Sequence, residues 1–443
     1  MPQQQLNSDQ EAAVHAVFAF LNDKSATEFV IEGSAGTGKT TLVQHILNQI
    51  PKQELIMSAL GEPGFGFIDI YVTATTRKAA TVIAEKLTVG AEPLTIHSLL
   101  GLKVSNDVKT GLTTLRRTKN DLVTDSLIII DEASFIDHTL LASIRQLTHS
   151  SKVIYIGDPY QLTPPTSGTS PVFGGAIPTA KLTQIMRFDG EIDILSGLYR
   201  KTVKSQQFPF IPYDYCGAQV RSVDGPTFQS LVQDSFSLPY YEQEDDAKVL
   251  AWTNARVLEY NGFIRQHKGY NHDFEVGEQI VTNKPIMDNK GKTIYATDGR
   301  ARITYISASS STYLGISGKY LTLDNKVEVF IANSSHDVKT KLSQLKRQKK
   351  WSDFFTTQDS IADIRPPYAC TVHKSQGSTY KRVLIDLNDI GRCNVPDQVA
   401  RMLYVAISRA SEEVILYGKL PEKYQGEEYG TQAQSPHNHT SAA

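Results

Sequence analysis

Gly33-Ser34-Ala35-Gly36-Thr37-Gly38-Lys39-Thr40 is the stretch on which the reading of this chain turns. It has the form G-x-x-x-x-G-K-T and stands between Phe29-Val30-Ile31, a short apolar run of strand type, and a helix-like segment at 41–50. In that strand-loop-helix setting the glycines let backbone N–H groups converge on phosphate oxygens, and the helix adds its positive N-terminal end. Lys39 is placed to reach the β- and γ-phosphates, and the Thr40 hydroxyl to bind Mg²⁺.

Outward from this loop, Ala13, Val14, Val17, Phe18 and Leu21 recur at helical spacing. Strand-like runs follow at 70–72, 127–130 and 153–156, separated by helical stretches such as 78–87. Strands alternating with helices predict a parallel α/β sheet. A second α/β pattern begins near Lys248, with a strand at 249–252 and a helix at 255–266, and resumes at Tyr368 with a strand at 383–387, a helix at 397–403 and a strand at 414–416. Two stretches interrupt these patterns. Residues 99–123 are polar, with Lys109-Thr110-Gly111 as a hairpin turn, and 274–365 carry short β-like runs at 279–281, 301–306, 320–323 and 327–331.

At roughly 150 residues per domain, 443 residues allow about three structural units. Hydrophobic residues make up 40% and charged residues 21%, which excludes the disordered and the all-apolar classes. Lys and Arg total 45 against 47 Asp and Glu, so there is no global basic field, and net charge alone weighs against a nucleic-acid partner. The charge is uneven, however. Lys103, Lys109, Arg116, Arg117 and Lys119 face only Asp107 and Asp121 within 99–123, whereas 242–246 is strongly acidic. Cys216, Cys370 and Cys393 are widely separated and predict reduced, mostly buried thiols rather than disulfides or a zinc site. The polar N-terminus lacks the pattern of a signal peptide, and no window approaches the about 20 apolar residues of a membrane span, so a cytoplasmic protein is expected.

The apolar run at 127–130 ends in Asp131-Glu132, at the strand end where open α/β sheets bind ligands. Asp131 is suited to hold Mg²⁺ and Glu132 to polarise an attacking water. A guanine-nucleotide switch is disfavoured, because Asn283-Lys284 continues as Pro285-Ile286 and Asn325-Lys326 as Val327-Glu328, with no Asn-Lys-x-Asp signature. A small-molecule kinase would not need a second α/β half. A polymer-coupled motor predicts further motifs in a set order.

Those motifs are present, and with them the chain resembles a superfamily 1 helicase of the Dda-like and RecD-like group, from Leu6 to Arg409. Leu6-Asn7-Ser8-Asp9-Gln10 resembles the adenine-reading Q motif, 73–80 motif Ia, and Thr95-Ile96-His97-Ser98 motif Ib. Gly157-Asp158-Pro159-Tyr160-Gln161-Leu162 resembles motif III, Leu182-Thr183-Gln184-Ile185-Met186-Arg187 motif IV, 368–379 motif V, and Leu403-Tyr404-Val405-Ala406-Ile407-Ser408-Arg409-Ala410 motif VI.

The resemblance implies two RecA-like P-loop domains in an α/β fold. The first spans 1–98 and 122–190, with a β-hairpin pin insertion at 99–121; the second spans 191–273 and 366–425, with an SH3-like insertion at 274–365; 426–443 form a disordered tail. It further implies ATP contacts from Gln10, Gly33, Ser34, Ala35, Gly36, Thr37, Gly38, Lys39, Thr40, Thr41 and Gly377, and Mg²⁺ ligation by Thr40 and Asp131. Hydrolysis would use Lys39, Asp131, Glu132, the γ-phosphate sensor Gln161 and the arginine fingers Arg187 and Arg409. DNA would be contacted by Thr76, Lys78, His97, Thr371, His373 and Lys374.

The partners implied are single-stranded DNA and duplex junctions, with single-strand-binding protein and replisome components as further partners, for a monomer in phage replication, recombination or repair. Gln161-Leu162 followed by Pro164-Pro165 resembles the branch that moves 5′ to 3′. Two departures stand out. Thr75 replaces the proline common in motif Ia, which would loosen a strand contact, and 99–123 contain no aromatic residue, leaving Leu112 and Leu115 as wedge candidates. That second departure keeps open an ATP-driven translocase that displaces bound proteins and opens duplexes weakly. In the second insertion, Lys339, Lys341, Lys346, Arg347, Lys349 and Lys350 precede Trp351, Phe354 and Phe355, which reads equally as a solvated helix with an aromatic anchor or as a surface that contacts DNA or braces the pin.

Overall fold

The computed structural model describes residues 6–87, 93–106, 113–118, 121–163, 168–184, 190–212, 215–237, 246–271, 273–288 and 293–426. The expectations for Arg187, Leu112, Lys119, the Lys109-Thr110-Gly111 turn, Pro164-Pro165 and residues 427–443 lie outside them.

Six N-terminal strands make one parallel sheet in the order Thr179–Leu182, Glu28–Gly33, Lys152–Gly157, Ser126–Asp131, Asp69–Ala74, Leu94–Thr95. Alternation along each strand feeds two cores. Phe29, Ile31, Leu127, Ile129, Ile154 and Ile156 meet Val17 and Leu21 of helix Ser8–Asn22 and Leu42, Ile46 and Ile50 of helix Lys39–Ala59. Val30, Ile128, Ile130, Val153 and Tyr155 pack on the other side against Leu140, Leu141 and Ile144 of helix His138–Leu147. Burial on both faces is why these strands appear in the sequence as continuous apolar runs. The helix after the phosphate loop outruns its expected end at Ile50 and contains Pro51. Proline removes a ladder hydrogen bond, but beyond it the helix lies at the surface, with Leu55 73% exposed, so the loss falls beside solvent.

The second parallel sheet runs Val220–Val223, Ala410–Tyr417, Tyr380–Asp386, Ala247–Ala251, Ala369–Thr371. Against it lies helix Pro396–Ile407, in which every residue from Val399 onward is buried. A helix apolar on all sides must be covered on all sides. Its own sheet and helix Glu191–Ser205 cover most of it, and Leu162 of the first α/β unit joins the same core.

Both interruptions are β structures. Leu102–Asn106 pairs antiparallel with Thr113–Arg117, and the base of the hairpin is tied where Thr118 donates its N–H and its hydroxyl to the Gly101 carbonyl at 2.8 and 2.9 Å. Leu115 is 42% exposed on that hairpin. The larger insertion is a six-stranded antiparallel sheet built on Gln279–Thr282, Arg300–Ile306, Ser311–Tyr313, Ile316–Leu323, Val327–Ala332 and Ile364–Arg365. Helix Ser335–Arg347 packs on it through Val338, helix Trp351–Ser360 follows with Phe355 buried, and Trp351, Phe354 and Phe355 contact one another, Phe354 edge-on to the other two, while Lys346, Arg347, Lys349 and Lys350 stay exposed. All three cysteines are free, and Cys216 is exposed, contrary to the expectation of mostly buried thiols. Among the described residues no helix is long and apolar enough to cross a membrane.

The insertion is fastened to the second sheet by a buried ion pair. Arg265, on helix Asn254–His267, donates to Glu278 at 2.6 Å, with the two residues 7% and 2% exposed. Removing one partner strands the other charge in a low-dielectric site. Glu278→Ala is therefore expected to lower unfolding free energy by about 3–5 kcal/mol, and the paired change Arg265→Met with Glu278→Leu by much less, as read by denaturant unfolding.

Candidate nucleotide site and strand cleft

Parallel strands end at one edge, and the first sheet gathers its chemistry there. The loop after Glu28–Gly33 turns through left-handed Gly36 (φ 84°) and Gly38 (φ 76°) into helix Lys39–Ala59. At Gly38 a side chain would also collide with the Gln10 amide. Lys39 Nζ donates to the Gly33 and Ser34 carbonyls, both at 2.8 Å, and the Thr37 hydroxyl closes the loop onto Ser34 O at 2.9 Å. Burial pushes the Lys39 pKa down, while the charges of Asp158, Glu132 and Asp131 pull it back up.

Gln10 is 2% exposed, and both ends of its amide are engaged. Its Oε1 accepts the Asn7 N–H and its Nε2 donates to Thr37 O, each at 3.1 Å. Instead of standing open to a base edge, it closes a capping box with Asn7 and clamps the phosphate loop to helix Ser8–Asn22. The Asn-x-x-Gln spacing carried that signal.

Asp131 ends strand Ser126–Asp131, and its Oδ1 accepts the Glu132 N–H at 2.8 Å. Glu132 sits in the left-handed region (φ 54°, ψ 42°), a costly place for a residue with a side chain. Thr75 holds it there by donating its hydroxyl to Glu132 O at 3.0 Å. Thr75 thereby braces the acidic turn, which a proline has no side-chain hydroxyl to do. Burial first, then the Asp131 charge, push the Glu132 carboxyl up to about 7, opposed by Arg409 and Lys39. Thr40, in the first turn of the loop helix, and Asp131 are hard oxygen donors at this edge. That donor set fits Mg²⁺, which takes its remaining ligands from water and phosphates.

The second α/β unit completes the site. Tyr404, 1% exposed, donates to Asp158 and accepts the Ala35 N–H of the phosphate loop at 3.2 Å. Arg401 donates to Pro159 O and Gln161 O, both at 2.7 Å. Gln376 Nε2 donates to Gln161 Oε1 at 2.8 Å and approaches Glu132 Oε2 at 3.4 Å, while Gly377 (φ 78°) turns beside the Glu132 carboxylate. Arg409 is 5% exposed and bonded within its own unit, to Val405 O, Ser378 O and Ser408 Oγ at 3.2, 3.2 and 3.0 Å. Sequence reading missed Thr75, Gln376, Arg401 and Tyr404 as site residues. Arg401 and Tyr404 did leave a trace, as polar groups one helical turn apart in an otherwise apolar helix.

Of the expected strand contacts, Lys78, Thr371 and Lys374 share one cleft with Arg300 and Arg365, where the first unit, the second and the insertion meet. Lys78 Nζ donates to Lys374 O at 3.4 Å, and Lys374 Nζ reaches Asn283 and, at 3.0 Å, Asp298 of the insertion. Thr76 caps the helix that carries Lys78. His373 is exposed, and His97 lies outside the cleft lining, near Asp137.

Loss of the Tyr404 hydroxyl removes a donor from Asp158, which is 0% exposed, and a partner from the loop. Tyr404→Phe is expected to lower unfolding free energy by about 1–3 kcal/mol, measured in urea.

Comparison with known proteins agrees with this architecture. Residues 5–204 match a family model described as an AAA domain, and 366–417 one described as a UvrD-like helicase C-terminal domain. The ATP-dependent DNA helicase dda of Enterobacteria phage T4 is 26% identical, over 92% of this chain and 98% of its own. An uncharacterized protein of Acanthamoeba polyphaga mimivirus is 22% identical over 92% and 99% of the two chains. Among solved structures, Pif1 helicase from Bacteroides in complex with ADP-AlF3 and single-stranded DNA superposes with a TM-score of 0.50 at 15% identity, covering 96% of this chain and 95% of that one. A structure of two coordinating Pif1 helicases at forked double-stranded DNA gives 0.51 at 16%, with the same coverage. Two parallel sheets that share one phosphate-loop site and these full-length relatives together make the chain similar to the helicase dda in sequence and to the Pif1 helicases in fold.

Proposed function

We propose that the protein is an ATP-dependent DNA helicase that moves 5′ to 3′ along single-stranded DNA and separates duplex ahead of it. The observation that carries this reading is that one nucleotide site draws side chains from both α/β units, through Tyr404 to Ala35, Arg401 to Gln161 and Gln376 to Glu132. The basic cleft straddles the same two units, where Lys78 meets Lys374. A change at the phosphates therefore acts on the same interface that would grip a strand. Closing and opening this interface once per ATP is the motion of a ratchet.

In this mechanism the two motor domains are 1–98 with 122–190 and 191–273 with 366–425. ATP phosphates seat on the loop N–H groups, and Lys39 turns from the Gly33 and Ser34 carbonyls to the β- and γ-phosphates. Thr40 and Asp131 would hold Mg²⁺, which supplies charge neutralisation on the phosphates. Glu132 accepts a proton from the attacking water. Gln161 meets the γ-phosphate, and Arg409 leaves its carbonyl partners to offset charge building on the transferred group. In the cleft, Lys78, Lys374, Arg300 and Arg365 would take DNA phosphates, so binding should weaken as salt rises.

Duplex opening would use the hairpin of Leu102–Asn106 and Thr113–Arg117 as an aliphatic wedge, with exposed Leu115 on it. The absence of an aromatic from 99–123 favours a second reading, a translocase that strips bound proteins and opens duplex weakly.

Lys39→Ala is expected to cut DNA-stimulated ATP hydrolysis by about 10²- to 10³-fold while affinity for a single-stranded oligonucleotide stays within about twofold, since Lys39 lies outside the cleft lining. Undiminished turnover in that variant would overturn the site.

A further inference from the structure

Gln376 lies in the second α/β unit, yet it touches two residues of the first, Gln161 and Glu132, that are read as phosphate sensor and base. Its Nε2 donates to Gln161 Oε1 at 2.8 Å and lies 3.4 Å from Glu132 Oε2 and 3.5 Å from Ser134 Oγ. The residue is 7% exposed. Its Oε1 is buried as well and has no hydrogen-bond partner among the described residues. A side-chain amide so placed donates across the two units through its nitrogen and keeps a buried acceptor at its oxygen. A buried carbonyl oxygen left unpaired is unfavourable, so a donor arriving there gains correspondingly.

The backbone that carries Gln376 is short and stiff. Thr371 caps the four-residue helix Val372–Ser375 by accepting the Lys374 N–H, and Ser375 Oγ donates to Val372 O at 2.8 Å. Lys374, two residues before Gln376, bonds to Asp298 of the insertion, and its carbonyl accepts from Lys78 of the first unit. One compact turn therefore has the basic cleft at one end and the Glu132 carboxylate at the other. A phosphate bound at Lys374 would therefore meet the same turn that carries Gln376.

We infer that Gln376 is a positioning residue: its amide holds Gln161 and Glu132 in one mutual geometry, so that hydrolysis is efficient when the cleft is occupied. This rests on reading the Asp131-Glu132 edge as the hydrolytic site. In the step itself the water gives one proton to Glu132 while its oxygen bonds to the γ-phosphorus as the bond to the bridging oxygen breaks.

The experiment uses the full chain with Gln376→Ala, Gln376→Glu and Gln161→Ala, separately and, for the two alanines, together. Steady-state ATP hydrolysis is measured with saturating single-stranded oligonucleotide, alongside affinity for a fluorescent ATP analogue and thermal unfolding. Misplacement of a reacting group costs up to about 100-fold, so kcat in Gln376→Ala should fall about 10- to 100-fold, with KM for ATP and analogue affinity within about twofold. Gln376→Glu, which lacks the donor, should not recover the rate. The double alanine variant should be no slower than the worse single one, because the two side chains act as a unit. A loss confined to KM, an unchanged kcat, or penalties that multiply in the double variant would overturn the inference. Lys39→Ala in the same assay separates the two levels: if it abolishes turnover and Gln376→Ala does not slow it, the inference fails and the hydrolytic site stands; if Lys39→Ala leaves turnover intact, the site reading fails first.

Discussion

Asp158 is a fully buried carboxylate whose oxygens are held by the Tyr404 hydroxyl on one side and the Tyr160 N–H on the other. A buried charge without donors is costly, and here one donor comes from the first α/β unit and the other from the second. The same sharing recurs where Arg401 caps the Pro159 and Gln161 carbonyls and where Gln376 meets Gln161. Neither unit can leave the other without exposing or orphaning these groups. The nucleotide site is thus a joint, and any chemistry that rearranges its partners is felt by both units.

The first sheet explains why that joint forms where it does. Its strands are covered on both faces, so only their C-terminal ends are left for polar chemistry, and the phosphate loop, the Asp131-Glu132 turn and the 158–161 segment all arrive there. Helix Pro396–Ile407 answers from the other side with an apolar surface that carries two polar groups, Arg401 and Tyr404. Apolar burial sets the approach of the two units, and the polar pairs set its register. Thr75 adds a local version of the same device by pinning the left-handed Glu132 through a single hydroxyl.

The parts legible in the sequence are those whose physics is local. The glycine loop, the apolar strands and the β-texture of both interruptions are written in neighbouring residues, and the structure holds them within a few positions of the expected ends. The expected end at Ile50 fell short because proline is a strong stop signal, yet Pro51 has no packing to disturb on an exposed helix face. Gln10 presented its pairing capacity in the sequence but not its partners, which are Asn7 and a loop carbonyl 27 residues away. Tyr404 and Gln376 fall within matched motifs, but their roles depend on contacts more than 200 residues distant that no periodicity encodes. Net charge misled for a related reason: neutrality of the whole chain does not forbid a cleft in which Lys78, Lys374, Arg300 and Arg365 converge.

The account stands or falls on directional strand separation driven by ATP. The most direct measurement gives the protein otherwise identical duplexes with a 5′ or a 3′ single-stranded tail and follows release of the displaced strand with ATP and Mg²⁺. The account predicts release from the 5′-tailed duplex, dependent on ATP, with little from the 3′-tailed one. Preferential opening of the 3′-tailed duplex, or equal opening of both without ATP, would contradict it.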